Sequence, residues 1–163
     1  MKILALSDSH GDEASLHEVI KKHRSADLVV FCGDGCSDIN RMRTIFHNIP
    51  FLCVKGNCDW YCDFPFIQNI ELGGKEILVT HGHMFGVKEG YSRIINLGRE
   101  NNADIVIFGH THKQFTSVEG RMLLVNPGSI GYRGNYTIIE INETTGKIKA
   151  TEYPDDDYGP VIL

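Results

Sequence analysis

The chain has 163 residues, 42% of them hydrophobic and 23% charged, which is the composition of an ordinary globular domain and predicts a single domain over residues 1–163. Its formal net charge of -5 argues against broad nucleic-acid binding. No apolar run approaches the ~20 residues of a membrane helix, and the run over residues 3–6 breaks at Ser7 and Asp8, too early for a signal peptide, so no membrane association and a cytoplasmic location are expected.

In chain order, short apolar runs alternate with amphipathic segments. Residues 3–6 read as a buried strand and are followed by Asp8-Ser9-His10. Asp12 is an N-cap for a helix in which Leu16, Val19, Ile20 and His23 recur at helical spacing. Leu28–Phe31 is a second strand, ending at Gly33-Asp34, and Ile39, Met42, Ile45 and Phe46 predict a second helix. Residues 51–54 form the third strand and run into Gly56-Asn57-Cys58-Asp59. The pattern to this point is β-α-β-α-β. Gly73-Gly74 then separates two strand-like runs, the second covering residues 77–79 ahead of His81-Gly82-His83. Residues 105–108 precede Gly109-His110-Thr111-His112. Thr145-Gly146 separates Tyr136–Ile141 from Ile148–Tyr153, and both glycine-containing breaks resemble hairpins. A mixed sheet or two packed sheets follows. Asp155-Asp156-Asp157 reads as a solvated tail.

Five consecutive strand ends therefore carry residue types that ligate metals, and in open α/β sheets such residues gather at the carboxyl ends of the strands. In an extended segment residues i and i+2 share a face, so Asp8 with His10, and His110 with His112, are expected to point into one site. Taken singly, a D-x-H or G-D pair more often marks a turn or a cap, and a lone His is usually structural. The joint register of five motifs with five strand ends is what favours a metal centre. His17, His23 and His47 lack that placement and belong at the surface or in helix packing. Cys32, Cys36, Cys53, Cys58 and Cys62 are an odd set without a secretory context, which predicts reduced thiols. A Cys₄ zinc site from Cys32-x-x-x-Cys36 and Cys58-x-x-x-Cys62 is the rival centre. It leaves the Asp and His set unexplained, and Cys53 reads as a small core residue.

The ordered set D-x-H, G-D, G-N-x-D, T-H-G-H and G-H-T-H, spanning Asp8 to His112, resembles the calcineurin-like metallophosphoesterases. The short length, the G-N-C-D form and Asn126-Pro127-Gly128-Ser129 resemble their small microbial phosphodiesterase branch. That resemblance implies an α/β fold, a four-layer αββα sandwich of two mixed β-sheets flanked by helices. It implies two divalent metal ions per chain, one held by Asp8, His10, Asp34 and His112, the other by Asp34, Asn57, His81 and His110, with Asp34 bridging. Asp34, Asn57 and His83 are the implied catalytic residues, His83 lying beside the second ion without ligating it. The implied reaction is hydrolysis of a small phosphate ester, a diester first, by in-line attack of a metal-bound hydroxide. Imidazole, carboxylate and amide oxygen suit Mn²⁺, expected first, or Zn²⁺, Fe²⁺ or Ni²⁺, better than an all-oxygen Mg²⁺ or Ca²⁺ site. The resemblance and a modest surface also allow a homodimer.

One position departs from the wider superfamily, where many members read G-N-H-[DE] with a His placed to protonate the leaving group; Cys58 stands there in this chain. A small side chain filling the gap is the ordinary reading, and a thiol acting as the acid is the sharper one. Asp59 is expected to orient Asn57 or a neighbouring His. Trp60, Tyr61 and Phe85 can stack on a base, but in a loop folded over a sheet such rings are more often packing residues. A function of another class is a non-catalytic scaffold, since the retromer sorting subunit resembles this branch. The complete ligand set favours an enzyme. A hydrolase using one ion is a third reading, separated by metal stoichiometry.

Overall fold

The computed structural model describes residues 1–154 and 160–163, so Asp155-Asp156-Asp157 lies outside the described residues. The first half is the expected alternation of β1 (Lys2–Leu6), α1 (Glu13–Lys22), β2 (Leu28–Phe31), α2 (Cys36–Ile45) and β3 (Phe51–Cys53). Asp12 caps α1, its Oδ1 accepting from the Ser15 amide at 3.0 Å. The chain continues through β4 (Ile67–Leu72), β5 (Lys75–Thr80), α3 (Ser92–Glu100), β6 (Ile105–Ile107), β7 (Gln114–Glu119), β8 (Met122–Pro127) and α4 (Ile130–Arg133). It ends with β9 (Tyr136–Ile141), β10 (Ile148–Tyr153) and β11 (Val161–Ile162).

These strands form two mixed sheets, ordered β11-β10-β9-β1-β2-β3 and β4-β5-β6-β8-β7. β1, β2 and β3 are parallel, as are β5, β6 and β8, while β9 pairs antiparallel with β1. The glycine breaks at Gly73-Gly74 and Thr145-Gly146 are the hairpins β4–β5 and β9–β10. The β7–β8 hairpin is an addition to the expected elements; β7 is a half-polar strand, QFTSVE, with no alternating apolar face to announce it.

The strands read as unbroken apolar runs because both of their faces are covered. Ile3 and Ala5 of β1 turn inward and meet Val30, Ile77, Val79, Ile105 and Val125 between the sheets. Leu4 and Leu6 turn outward, with Phe31, onto Leu16 and Ile20 of α1 and Ile39 and Met42 of α2. Behind the second sheet, Leu78, Val106 and Phe108 pack on Ile94 and Leu97 of α3. The layers are therefore αββα, as expected. His17 packs on Phe46, His23 lies against Tyr136 and Tyr153, and His47 is exposed, all away from the strand-end motifs. Among the described residues, no helix is long and apolar enough to cross a membrane.

The expectation of reduced thiols fails at one pair. Cys36 and Cys62 form a disulfide with their Cα atoms 6.2 Å apart, while Cys32 and Cys53 are buried free thiols and Cys58 is an exposed one. The Cys₄ arrangement is thereby excluded. The two bonded cysteines are 26 residues apart in sequence and meet because the loop after β3 folds back onto the start of α2, a contact that spacing does not reveal.

Candidate metal centre

The strand ends deliver their polar residues to one edge of the sandwich: Asp8 and His10 follow β1, Asp34 follows β2, Asn57 follows β3, His81 and His83 follow β5, and His110 and His112 follow β6. Gly56 and Gly109 permit this convergence. A Cβ on Gly56 would overlap the Asp34 carboxylate, and one on Gly109 would overlap the Ser7 hydroxyl.

The expected residues do converge on one site, but not on an extended backbone. Asp8, His10, Asp34, His110 and His112 have φ of 55°, 46°, 58°, 70° and 59°, so D-x-H and H-x-H are left-handed turns and not extended segments. At Asp8 and His10 these turns go with pairing between loops, the Asp8 amide donating to Gly33 O at 2.9 Å and the His10 amide to Asp34 O at 3.1 Å. Asp and His tolerate this region better than most residues, yet each such position costs on the order of 1 kcal/mol. Clustering of this kind marks functional sites.

Two groups of ligand atoms result. Asp8, His10 and His112 offer atoms within 4.8 Å of one another, and so do Asp34, His81 and His110. In the first, His112 Nε2 lies 3.2 Å from His10 Nε2 and 3.2 Å from Asp8 Oδ1. In the second, His81 Nε2 lies 3.1 Å from His110 Nδ1 and 3.4 Å from Asp34 Oδ2. Asp34 Oδ2 is also 4.0 Å from His10 Nε2, which places it between the groups. His10, Asp34 and the Cys58 thiol make a third overlapping set. Asn57 is exposed, its amide donating to Cys58 Sγ at 3.3 Å.

The groups behind these atoms fix their orientation. His81 Nδ1 donates to Cys32 O at 2.6 Å, which fixes the ring with Nε2 turned toward the centre. Asp8 Oδ2 accepts from the Ser7 hydroxyl and from the His110 amide at 3.0 Å, which turns Oδ1 toward His10 and His112. Ser129 of the N-P-G-S segment donates to Asp8 O at 2.7 Å, and Asn126 donates to Gly109 O at 2.8 Å. Asp38 is a positioning residue absent from the expected set. Its buried carboxylate accepts from Ser9 Oγ at 2.6 Å and from the Gly11 amide at 2.9 Å, steadying the loop around His10. An acidic residue in the first turn of a predicted helix was its one available signal, and that usually means only a favourable helix dipole.

Asp59 corrects an expectation. It meets neither Asn57 nor a His; its carboxylate accepts four backbone amides, from Asp34 (2.7 Å), Gly35 (2.9 Å), Cys36 (2.9 Å) and Gly56 (2.8 Å). The loop bearing Asp34 leaves its amides unpaired by the sheet, and this carboxylate gathers them.

Burial alone would raise the Asp34 carboxyl, but its hydrogen bond with His81, the His81 charge and the Cys58 amide together hold it well below the usual range. Burial likewise would lower His81, and the contact with Asp34 and the charge of Asp8 raise it instead. The Asp8 contact raises His112. Burial, with the charges of His81 and Lys88, brings His110 down to about 4, leaving a neutral imidazole at physiological pH.

The donor set fits divalent ions. Asp8 Oδ1 is buried with no hydrogen-bond partner, and two pairs of imidazole nitrogens point at each other within 3.2 Å. A buried carboxylate oxygen facing ring nitrogens is costly unless a cation completes it. His83 sits on a 3₁₀ turn with its ring centroid 5.3 Å from His81 and 6.1 Å from His110; its Nδ1 is buried and without a partner. Burial, with the His81 charge, lowers its pKa.

The model of the calcineurin-like phosphoesterase superfamily domain matches residues 1–144. The chain is 38% identical to the probable metallophosphoesterase YsnB of Bacillus subtilis, over 80% of this chain and 75% of that protein. It is 27% identical to phosphodiesterase YfcE of Escherichia coli, over 80% and 79%. A Streptococcus pneumoniae structure described as a predicted phosphoesterase superposes with a TM-score of 0.83 at 29% identity, covering 99% of this chain and 96% of that one. Vps29 of Entamoeba histolytica in complex with zinc shares the fold, with a TM-score of 0.74 at 24% identity over 100% and 97%.

Proposed function

The chain belongs to the calcineurin-like phosphoesterase superfamily, and on that premise we propose that it is a phosphodiesterase working with two divalent ions, Mn²⁺ first among them. Asp8, His10, Asp34 and His112 would hold one ion, and Asp34, Asn57, His81 and His110 the other. The observation that carries this reading is the place of Asp34 Oδ2, 3.4 Å from His81 Nε2 and 4.0 Å from His10 Nε2, as a bridging carboxylate requires. When bound, the ions supply positive charge for the phosphoryl oxygens and acidify a water. The chain's own part is to keep the ligands aimed. His81 is held in one orientation by Cys32 O, Asp8 is turned by Ser7 and the His110 amide, and His83 stands beside the second group where it can meet the substrate.

Chelation followed by reconstitution tests the reading. Two ions per chain and metal-dependent cleavage of diesters are expected. Full occupancy without turnover of any ester would support a scaffold, the reading that the Vps29 fold brings to mind, and one ion per chain would contradict the bridge. His112→Ala and Asn57→Ala should weaken different ions, because each residue belongs to one sphere only; identical metal-loss profiles would refute that division.

Substitutions at Cys58 test how the leaving group is protonated. Partial desolvation, together with the Asp34 contact and the Asp59 charge, pushes its thiol up to about 11, too weak an acid to match a neutral operating pH. Cys58→His is therefore expected to raise hydrolysis of alkyl phosphate esters, about 10²-fold at most, relative to p-nitrophenyl esters that need little protonation. Cys58→Ser should change little. A sharp fall in alkyl ester turnover with Ser would instead make the thiol the acid.

A further inference from the structure

The loop after β3 is tied down at two points. At position 59 a carboxylate gathers four backbone amides, and at position 62 a disulfide joins the chain to Cys36. Only Trp60 and Tyr61 lie between these anchors, and neither packs against the protein. Trp60 is 86% exposed and Tyr61 fully so, whereas Phe85, the third ring considered, packs against the core behind the second sheet. Large rings left in water contribute nothing to a core, and rings on a doubly anchored segment lose little freedom when they bind.

The two rings border a cleft that leads toward the metal centre. Trp60 and Tyr61 line a cleft of about 260 Å³ with Ser37, Cys58 and the Cys36–Cys62 disulfide. Cys58 connects that cleft to the metal centre, since its thiol shares a 4.8 Å group with His10 and Asp34. A phosphate ester held at the centre would thus extend one of its substituents toward the two rings. A third exposed ring, Tyr132, has its centroid 6.4 Å from that of His112.

We propose that Trp60 and Tyr61 form a rigid stacking platform for a nucleobase, so that the preferred esters are nucleoside phosphodiesters of small size. The inference rests on the phosphoesterase reading for the group at the other end of the ligand. Stacking on a ring face is tolerant of base identity, so purine and pyrimidine esters are both accepted. The net charge of -5 disfavours a polymer and leaves the single nucleotide unit.

Trp60 is the one tryptophan of the chain, so its fluorescence reports the platform directly. In protein reconstituted with Zn²⁺, adenosine 5′-monophosphate should quench it saturably, and ribose 5-phosphate, which lacks the base, should not. Tyr61→Ala should weaken the nucleotide about tenfold, the size of a lost base–aromatic stack. Trp60→Ala should lower the kcat/KM preference for thymidine 5′-(p-nitrophenyl phosphate) over ethyl p-nitrophenyl phosphate about tenfold, through KM. Equal quenching by both phosphates, no quenching, or an unchanged preference would overturn the platform. The two readings fail separately. Base-dependent quenching in a protein that cleaves no ester removes the phosphoesterase and keeps the platform, while cleavage of both esters without such quenching removes the platform alone.

Discussion

Asp34→Asn is expected to abolish binding of two ions and to lower kcat by about 10³-fold or more, since a neutral amide is a poor bridge between cations. The geometry leaves the amide no good orientation. Oδ1 accepts the Cys58 amide at 2.8 Å while Oδ2 faces His10 and His81. An asparagine that keeps its oxygen toward Cys58 turns an NH₂ group toward the two imidazoles. The main chain at this position is held separately by Asp59, so the variant should fold. Metal content and steady-state kinetics on the same preparation check this, and near-wild-type turnover with two ions would sink the bridging role.

Asp59→Ala should cost about 3 kcal/mol of stability, because four backbone donors lose a charged acceptor at once and water restores only part of it. For a chain of this length that is a fall in Tm of about 10 °C. Asp59→Asn should rescue little. Oδ2 serves Asp34 and Gly56, and Oδ1 serves Gly35 and Cys36. An amide in either orientation sets an NH₂ group against two amide donors. Metal affinity should fall along with Tm in both variants, since Asp34 and the Gly56 loop are held by the same carboxylate. Thermal unfolding at fixed metal concentration is the measurement, and a Tm within a degree of wild type for Asp59→Ala would show the four bonds to be dispensable.

Much of this arrangement is legible without coordinates. The runs at 28–31 and 105–108 are apolar on both faces because each strand is sandwiched between layers, and Leu16 and Ile20 recur at helical spacing because α1 covers one outer face. Residue type and strand-end placement together bring Asp8, His10, Asp34, His81, His110 and His112 to one edge. What stays hidden is set by contacts between loops. Asp59 lies two positions from Asn57 in the sequence but serves the backbone around Asp34. Cys36 and Cys62 meet only when that loop is folded. Asp38 looks like an ordinary first-turn acid until Ser9 and Gly11 are seen to donate to it. Local periodicity carries no information about partners 25 or 30 positions away.

The left-handed turns under Asp8, His10, Asp34, His110 and His112 set durability against purpose. At each of these positions glycine would relax the main chain and remove a ligand group, so selection for heat resistance alone would tend to erase the centre one residue at a time. A thermostabilised descendant of this protein is safest when those five positions are frozen and improvement is sought elsewhere, for example in the exposed turn at Gly120-Arg121 or along the surface of α3. At the strained turns, stability and metal binding thus call for different residues at the same five positions.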